Sequence, residues 1–213
     1  MFVPDFYREP EHSWIVETMR RNPLALLTSN GGDDEAPYAT HVPVIIDPAL
    51  SEDPADLVGT TLWGHLNRAN PHWEALDRTG TAGLVFRGPG SYVSPTVYQT
   101  CPAAPTWDFT AVHIRGPIRR LPSEHDSLET VKETVRAFEG RFGNGWDMND
   151  SVPYFQSIVS GVGAFRMVVT DVDAMFKLSQ EQHSTIRERV RSDFAARESS
   201  EHREIAALMD RLT

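Results

Sequence analysis

A succession of short strand-forming runs between residues 24 and 116 constrains the fold of this chain more than any other feature. The runs cover residues 24–28, 41–46, 60–66, 81–86, 92–98 and 109–114. Turn-forming stretches such as Asp47-Pro48, Ala104-Pro105 and residues 87–90 separate them. Because few helices intervene, the pattern favours a barrel over a doubly wound parallel sheet.

Helical periodicity appears on both sides of this β-rich part. An amphipathic helix is expected at residues 10–21 and another at 123–142, where Leu128, Val131, Val135 and Phe138 recur at three- and four-residue spacing. A strand pair is expected at 163–170 and 174–178, followed by a helical tail over about 184–213. The chain is therefore predicted to be one domain, residues 1–213, mainly β with peripheral helices.

Charge and cysteine usage exclude several classes of function. The net charge of −10, from 30 acidic and 20 basic residues, disfavours a nucleic-acid partner. No apolar run is long enough for a membrane span, and the first residues lack the pattern of a signal peptide, so a cytoplasmic protein with no membrane partner is expected. The single cysteine, Cys101, excludes an internal disulfide.

The densest polar and aromatic block is GHLNRANPHW, residues 64–73, at the end of a predicted strand. His65 follows a glycine there, and a neutral imidazole in that position suits an iron ligand beside a flat macrocycle. Arg68 and Asn70 offer donors for a phosphate or carboxylate. The alternative interpretation is a structural histidine followed by a capped, solvated turn.

Three later blocks carry further candidate residues. Strand alternation over residues 92–98 would place Tyr92, Ser94 and Thr96 on one face. Asp108 stands between two aromatic residues, and Lys177 and Gln180 lie in FKLSQEQ, residues 176–182. Ordinary core packing or solvated surface explains these residues equally well. Dinucleotide, P-loop, zincin and GxSxG hydrolase motifs are missing from the sequence.

Taken together, GHLNRANPHW, GPGSYVSPTVY, PTWDFTAVH and FKLSQEQ resemble the FMN-binding negative transcriptional regulators of the Pai B type. Their order and spacing run through most of the chain. The resemblance implies the FMN-binding split β-barrel of flavin reductases and pyridoxamine phosphate oxidases. It also implies a homodimer with cofactor sites at the subunit boundary.

Within that family, NRANPHW, PAAPTWDFT, GVGAF and MFKLSQEQ look most like the piperazate synthases. Those enzymes bind heme b, and the resemblance places the iron ligand on His65. Arg68, Asn70, Ser94 and Gln180 are then expected around the cofactor. Tyr92, Asp108 and Lys177 are candidates for acid–base or substrate-binding roles, with Lys177 also a candidate partner of the heme propionates.

The implied reaction is the dehydrative cyclisation of Nδ-hydroxy-L-ornithine to piperazic acid in nonribosomal peptide biosynthesis. Both nitrogens of the substrate are nucleophiles, so one must be made electrophilic before an N–N bond can form. Iron held by His65 would serve that purpose. The alternatives are an FMN-binding oxidoreductase and a transcriptional regulator of the same family.

Overall fold

The computed structural model of the protein describes residues 1–32, 36–50 and 53–212. The strands are β1 (Leu24–Ser29), β2 (Tyr38–Ile46), β3 (Thr61–Asn67), β4 (Thr81–Val93), β5 (Thr106–Leu121), β6 (Val162–Val168) and β7 (Asp171–Lys177). The helices are α1 (His12–Arg21), α2 (Pro71–Ala75), α3 (Pro95–Tyr98), α4 (Glu124–Phe142), α5 (Val152–Ile158), α6 (Ser184–Ala196) and α7 (Ser200–Arg211). Short 3-10 turns cover Asp5–Tyr7, Asn149–Ser151 and Val159–Gly161.

The strands form a seven-stranded sheet with the order β4-β1-β2-β3-β6-β5-β7, and β4 also pairs with β5. The pairs β1–β2, β1–β4, β2–β3, β3–β6 and β5–β6 are antiparallel. Alternation explains why these runs form strands: in β1, Ala25, Leu27 and Ser29 are buried while their neighbours are more exposed. The predicted class, mainly β with peripheral helices, is confirmed.

The chain divides into two compact units. Unit 1 contains Met1–Arg21, Arg87–Val112 and the chain from Asp173 onward; unit 2 contains Asn22–Phe86 and His113–Val172. The interpretation of residues 1–213 as one domain stays a prediction. The predicted helical tail corresponds to α6 and α7, and Thr213 lies outside the described residues.

Each unit has its own set of buried apolar side chains. In unit 1, the ring of Trp14 on α1 meets the ring of Phe176 on β7 edge-on, with centroids 5.4 Å apart. Phe194 and Ile205, on the two C-terminal helices, are fully buried. In unit 2 the largest fully buried side chains are those of Leu27, Leu57, Leu62, Leu84, Phe86, Ile114, Phe165 and Met167.

The turn predicted at residues 87–90 is wrong, because β4 continues through it to Val93. The glycines there permit close backbone packing within unit 1 instead of a reversal. A Cβ on Gly88 would lie 2.1 Å from Oγ1 of Thr110, and a Cβ on Gly90 would lie 3.0 Å from Cβ of Phe109. Glycine stands at these positions because the neighbouring chain segments leave no room for a side chain.

The strand predicted over residues 92–98 is also wrong beyond Val93. Ser94 caps α3, and its side chain accepts a hydrogen bond from the backbone N–H of Thr96. Pro95 occupies the first helical position, where its missing N–H costs nothing. Tyr92, Ser94 and Thr96 consequently do not share a strand face. The Ser-Pro pair is typical of the start of a helix, but the alternating pattern of residues 92–98 led to the prediction of a strand.

Candidate functional site

His65 lies on β3, on the face that α4 covers. Leu62, Gly64 and Leu66 are the buried side of this strand, and Trp63 and His65 point to the other side. Arg166 on β6 pairs with Trp63, and its guanidinium carbon lies 3.5 Å from the centre of the Trp63 ring. Nη1 of Arg166 donates to Oγ1 of Thr130 on α4 at 2.9 Å, which places α4 over this face.

Gly64 fixes the backbone immediately before His65. It pairs with Phe165 in the β3–β6 register, and the Phe165 ring covers its Cα. A Cβ at Gly64 would lie 2.3 Å from Cζ of Phe165, closer than any real contact. Glycine at this position therefore lets β3 pack against a fully buried ring and present His65 on the opposite face.

The imidazole of His65 is half-buried and unpaired. Its Nδ1 atom is buried and has no hydrogen-bond partner among the described residues. Burial disfavours the charged imidazolium and lowers the pKa of His65 from 6.5 to about 4. The ring is therefore neutral at neutral pH, the form in which imidazole coordinates a metal.

Two other polar side chains of the 64–73 block are used by the fold. Asn70 caps α2: its Oδ1 accepts from the backbone N–H of His72 at 2.9 Å, and its Nδ2 donates to Oγ1 of Thr40 at 3.2 Å. His72 is fully buried, with Nε2 2.9 Å from Oγ of Ser29 and Nδ1 2.9 Å from Oγ1 of Thr40. Its ring stacks on Tyr38 with centroids 5.2 Å apart.

The side chain of Arg68 is also hydrogen-bonded within the fold. Its Nε donates to the carbonyl oxygen of Val162 at 2.7 Å and its Nη2 to that of Pro122 at 2.8 Å. Its guanidinium carbon lies 5.6 Å from the ring centre of Trp73. The indole of Trp73 packs against Gly163, where a Cβ would have no room. The hydrogen bonds of Arg68 thus join the end of β3 to two other segments of unit 2, and two of its nitrogens are used in doing so.

The unpaired imidazole of His65 suits the iron of a heme. Among residues 1–32, 36–50 and 53–212, no three His, Cys, Asp or Glu side chains are grouped as a metal site. An iron ion at His65 therefore needs most of its ligands from a macrocycle, and a porphyrin supplies four nitrogens. His65 would then be the residue that holds the iron, through its neutral imidazole. The donor set of this block suits heme better than a bare metal ion.

The other candidate residues form a cluster in unit 1 around Asp108 and Ser179. Asp108 is fully buried; its Oδ1 accepts from the backbone N–H of Ser179 at 3.1 Å and its Oδ2 from Oγ of Ser179 at 2.7 Å. Ser179 has φ +59°, a left-handed conformation that these two bonds support. Burial raises the pKa of Asp108 to about 6, although the bonds from Ser179 and the nearby charge of Lys177 oppose that change.

Lys177 and Gln180 flank the turn that Ser179 makes. Nζ of Lys177 donates to Oγ1 of Thr106 and lies 5.6 Å from the ring centre of Tyr7. Gln180 closes the turn on itself, because its Oε1 accepts from the backbone N–H of Leu178 at 2.6 Å and its Nε2 donates to the carbonyl oxygen of Phe176. The amide of Gln180 is thus occupied at both ends, whereas Lys177 is a cation at the border of the cluster.

Tyrosine hydroxyls complete the cluster. Burial, followed by a hydrogen bond with Glu181, raises the pKa of Tyr7 well above its ordinary value. Burial and the charges of Asp108 and Glu181 likewise raise the pKa of Tyr98, whose hydroxyl is buried without a partner among the described residues. Tyr92 is 44% exposed and contacts Trp107 edge-on. The cluster therefore combines buried proton-bearing groups with one accessible tyrosine.

Sequence reasoning did not select Tyr7, Tyr98 or Glu181 for this cluster. Tyr98 lay in a segment interpreted as a strand, and Tyr7 belongs to a 3-10 turn far away in sequence. Two of these residues could have been selected from the family blocks, because Tyr98 ends GPGSYVSPTVY and Glu181 lies within FKLSQEQ. The roles predicted for Tyr92, Ser94, Asp108, Lys177 and Gln180, in unit 1, and for His65, Arg68 and Asn70, in unit 2, stay predictions.

Replacing Asp108 by Asn is expected to remove a pH dependence of stability. Its carboxyl has a higher pKa in the fold than the ordinary 3.8, so the stability that it contributes is complete below about pH 4 and is lost as the pH rises through about 6. From that pKa difference, the wild-type free energy of unfolding should fall by about 3 kcal/mol over this range because of this group.

Urea unfolding at pH 4 and pH 7 measures the difference. The Asp108→Asn protein should show a pH-dependent loss smaller by about 2–3 kcal/mol than that of the wild type. Asp5→Asn, at a carboxylate that is 99% exposed, is the control and should follow the wild type. An Asp108→Asn protein with the full wild-type pH dependence would contradict the assignment of the raised pKa to Asp108.

The sequence of this chain is similar to those of known proteins. A family model described as "Putative FMN-binding domain" matches residues 1–171. The chain is 25% identical over 213 residues to the Protease synthase and sporulation protein PAI 2 of Bacillus subtilis, covering 99% of this chain and 97% of that protein. In the described residues, no helix has the length and apolar character required to cross a bilayer.

Solved structures share the fold at low sequence identity. The conserved hypothetical protein Rv2991 of Mycobacterium tuberculosis superposes with a TM-score of 0.57 at 11% identity, covering 86% of this chain and 96% of that one. The FAD and heme binding protein of Mycobacterium smegmatis gives 0.53 at 12% identity, covering 84% and 78%. With the observed strand order, these matches confirm the predicted split β-barrel class.

Proposed function

This chain belongs to the family of FMN-binding domains, and from that premise we propose that it is a heme-dependent piperazate synthase. In this proposal His65 ligates the iron of heme b. The enzyme converts Nδ-hydroxy-L-ornithine to piperazic acid by forming an N–N bond and releasing water. The resemblance of the 67–73, 102–110 and 175–182 blocks to piperazate synthases motivates the choice of reaction.

The observation that carries the proposal is the unpaired, neutral imidazole of His65. In the block that contains it, Arg68, Asn70 and His72 all have partners within the fold. His65 has none among the described residues, and its pKa of about 4 keeps it unprotonated. A half-buried imidazole in that state costs free energy unless a ligand uses it. An axial bond to heme iron is such a use.

The same observations favour heme over FMN. Binding of FMN requires donors for a terminal phosphate, and Arg68 is the cation of the 64–73 block. Two of its nitrogens already bind the carbonyls of Val162 and Pro122. The M. smegmatis protein is named for binding both FAD and heme, so a protein of this fold accommodates either kind of cofactor. At position 65 the unpaired imidazole would serve as an iron ligand of heme.

A bound heme would supply an electrophilic iron suited to activating the hydroxylated nitrogen for loss of its hydroxyl group. The reaction breaks one N–O bond and forms one N–N bond. One proton leaves the neutral attacking amine and joins the departing hydroxide to make the released water, and the reduction of one nitrogen is balanced by the oxidation of the other. The protein has to fold a flexible substrate so that its two nitrogens meet, which supplies an orientation advantage.

The unit 1 residues suit binding and proton transfer to different degrees. Lys177, a cation whose Nζ donates to Thr106 at the edge of the unit 1 cluster, is a candidate for binding a carboxylate. Tyr92, with its exposed ring, is a candidate for proton transfer. Asp108 is fully buried against Ser179, so it acts as a positioning residue that holds the turn after Lys177. A homodimer is part of the proposal, and light scattering of the purified protein tests it.

Mass spectrometry tests the proposed reaction. The hemin-loaded protein, incubated with Nδ-hydroxy-L-ornithine, should yield a product lighter by one water, with a six-membered ring confirmed by NMR. L-Ornithine, which lacks the oxygen that must leave, is the control substrate and should stay unchanged. Recovery of only unreacted hydroxyornithine from fully heme-loaded protein would contradict the proposed activity.

An FMN-binding oxidoreductase is the second candidate, and the description of the family favours it. It predicts yellow protein with flavin fluorescence and no Soret band. A transcriptional regulator is the third candidate, and it predicts salt-sensitive binding to an operator. The net charge of −10 disfavours the regulator, since a DNA-binding face requires an excess of basic residues.

A further inference from the structure

An open cleft with a volume of about 440 Å³ lies between α4 and strands β3 and β6, within unit 2. Its lining combines two sheet residues, three acidic residues of α4 and part of the turn after β2: Trp63, Arg166, Asp126, Glu129, Glu133 and residues 48–49. This cleft, called here the α4 cleft, is in the size range of small-molecule sites. The charges of its lining indicate which kind of molecule fits.

Arg166 supplies positive charge to the α4 cleft. Its guanidinium carbon lies 3.5 Å from the ring centre of Trp63, and its Nη1 donates to Oγ1 of Thr130 at 2.9 Å and to the carbonyl oxygen of Phe165 at 3.0 Å. No carboxylate of the described residues forms an ion pair with it. Burial lowers the pKa of Arg166 to about 10. A partly desolvated cation without a counter-ion favours an anionic group on the ligand.

Asp126, in the first turn of α4, supplies the opposite charge. Its carboxylate favours the protonated form of Arg166, which opposes the effect of burial, so the two groups lie near each other. They nevertheless form no ion pair, and the Asp126 carboxylate accepts no hydrogen bond within the described part of the chain. A neighbouring but separated anion and cation suit a zwitterionic ligand, because each of its ends then meets a counter-charge.

Glu129 and Glu133 extend the negative charge along the cleft. Together with Asp126 they recur at spacings of three and four residues, which places all three carboxylates on one face of α4 over about 10 Å. Nζ of Lys132 lies 2.8 Å from Oε1 of Glu129, and Nη1 of Arg136 pairs with Oε1 of Glu133. Both ion pairs are local and close to the surface, so a ligand cation can replace them at little cost. The two glutamates therefore favour a second positive group on the ligand.

Other classes of ligand fit these charges less well. A phosphate or a dicarboxylate would face three carboxylates, and a simple diamine would leave Arg166 without a counter-ion. A bare metal ion would be repelled by that guanidinium, and no three His, Cys, Asp or Glu side chains of residues 1–32, 36–50 and 53–212 are grouped as a metal site. A molecule with one carboxylate and two cationic groups matches the lining.

We propose that the α4 cleft binds a basic α-amino acid, with the ligand carboxylate at Arg166, the α-ammonium at Asp126 and the side-chain cation at the two glutamates. The aliphatic chain of the ligand packs on the apolar lining from Trp63 and residues 48–49. His65 is not part of this lining, so binding requires no heme and does not depend on the proposed function.

Isothermal titration calorimetry of the purified protein with L-lysine tests the proposal. We expect saturable binding of one L-lysine per chain, with and without hemin. Cadaverine lacks the carboxylate of lysine and L-norleucine lacks its side-chain amine. Each should bind at least about tenfold more weakly, because it leaves a charge of the cleft without its partner. Absence of saturable L-lysine binding, or equal binding of L-norleucine or cadaverine, would overturn the proposal.

Asp126→Asn removes one of the proposed contacts with the ligand. It should weaken L-lysine binding by roughly 10–100-fold, and the fold should tolerate it because the carboxylate accepts no hydrogen bond in the described part of the chain. Glu124→Gln is the matched control, since it removes the other carboxylate from the first turn of α4 but lies outside the lining. It should keep the wild-type affinity. Arg166→Gln should weaken binding by a similar factor to Asp126→Asn, and circular dichroism checks that it is folded.

The remaining outcomes separate this site from the proposed heme enzyme. Wild-type affinity in the folded Asp126→Asn protein would place L-lysine elsewhere on the chain and overturn the proposal. Equal weakening by Glu124→Gln would do the same, because it would indicate an effect of net charge. His65→Ala should bind L-lysine as the wild type does, and loss of binding in that variant would contradict a separate site. Hemin titration tests the proposed function, so either proposal can fail while the other stands.

Discussion

His65→Ala should abolish the Soret band of the hemin-loaded protein and lower turnover of Nδ-hydroxy-L-ornithine by at least about a hundredfold. The imidazole is the proposed iron ligand, so alanine removes the bond that would hold the iron to the protein. The fold should survive, because Nδ1 of His65 makes no hydrogen bond there that the substitution could break. Circular dichroism and urea unfolding check that point.

Two matched variants complete the His65 experiment. His65→Gly leaves room for added imidazole, which should restore the Soret band and part of the turnover. His41→Ala removes an exposed histidine from the same sheet and controls for unspecific hemin binding. A His65→Ala protein with a wild-type spectrum and full activity would contradict the assignment of the ligand.

His72→Ala should produce the opposite pattern, a large loss of stability with the cofactor site retained. The imidazole of His72 is fully buried, and its two nitrogens lie 2.9 Å from the hydroxyls of Ser29 and Thr40. Alanine would leave a cavity beside Tyr38 and two hydroxyls without their partner. The free energy of unfolding should therefore fall by about 3 kcal/mol or more.

Urea unfolding of His72→Ala beside His41→Ala measures that loss. The exposed-site variant should change the free energy of unfolding by less than about 0.5 kcal/mol. At temperatures where His72→Ala remains folded, it should still bind hemin and show the Soret band of the wild type. Loss of hemin binding in the folded His72→Ala protein, with stability unchanged, would contradict the division of roles between the two histidines.

Local patterns in the sequence were sufficient for most of the fold. Apolar spacing of three and four residues predicted α4 to within a residue, and strand alternation located β1, β2 and β3. The errors fell on β4 and α3, where Gly88 and Gly90 were interpreted as a turn and the start of α3 as a strand. Only the packing of Gly88 against Thr110, a residue distant in sequence, explains why glycine stands inside a strand.

The candidate site was predicted less completely, because partners distant in sequence decide what each polar side chain does. Arg68 and Asn70 were expected at a cofactor, but their donors and acceptors meet Val162, Pro122 and Thr40. No local pattern in the sequence indicates such distant hydrogen-bond partners. His65 could be singled out through the preceding glycine and the family resemblance, whereas the burial of its Nδ1 without a partner among the described residues required the structure.

Competitive titration of the cofactor-free wild-type protein with hemin and FMN tests the central claim most directly. We expect a saturable Soret band with one heme for each chain, and no quenching of flavin fluorescence at the same concentrations. Saturable quenching of FMN fluorescence without a Soret band would instead show that the protein binds a flavin, and it would contradict heme ligation by His65.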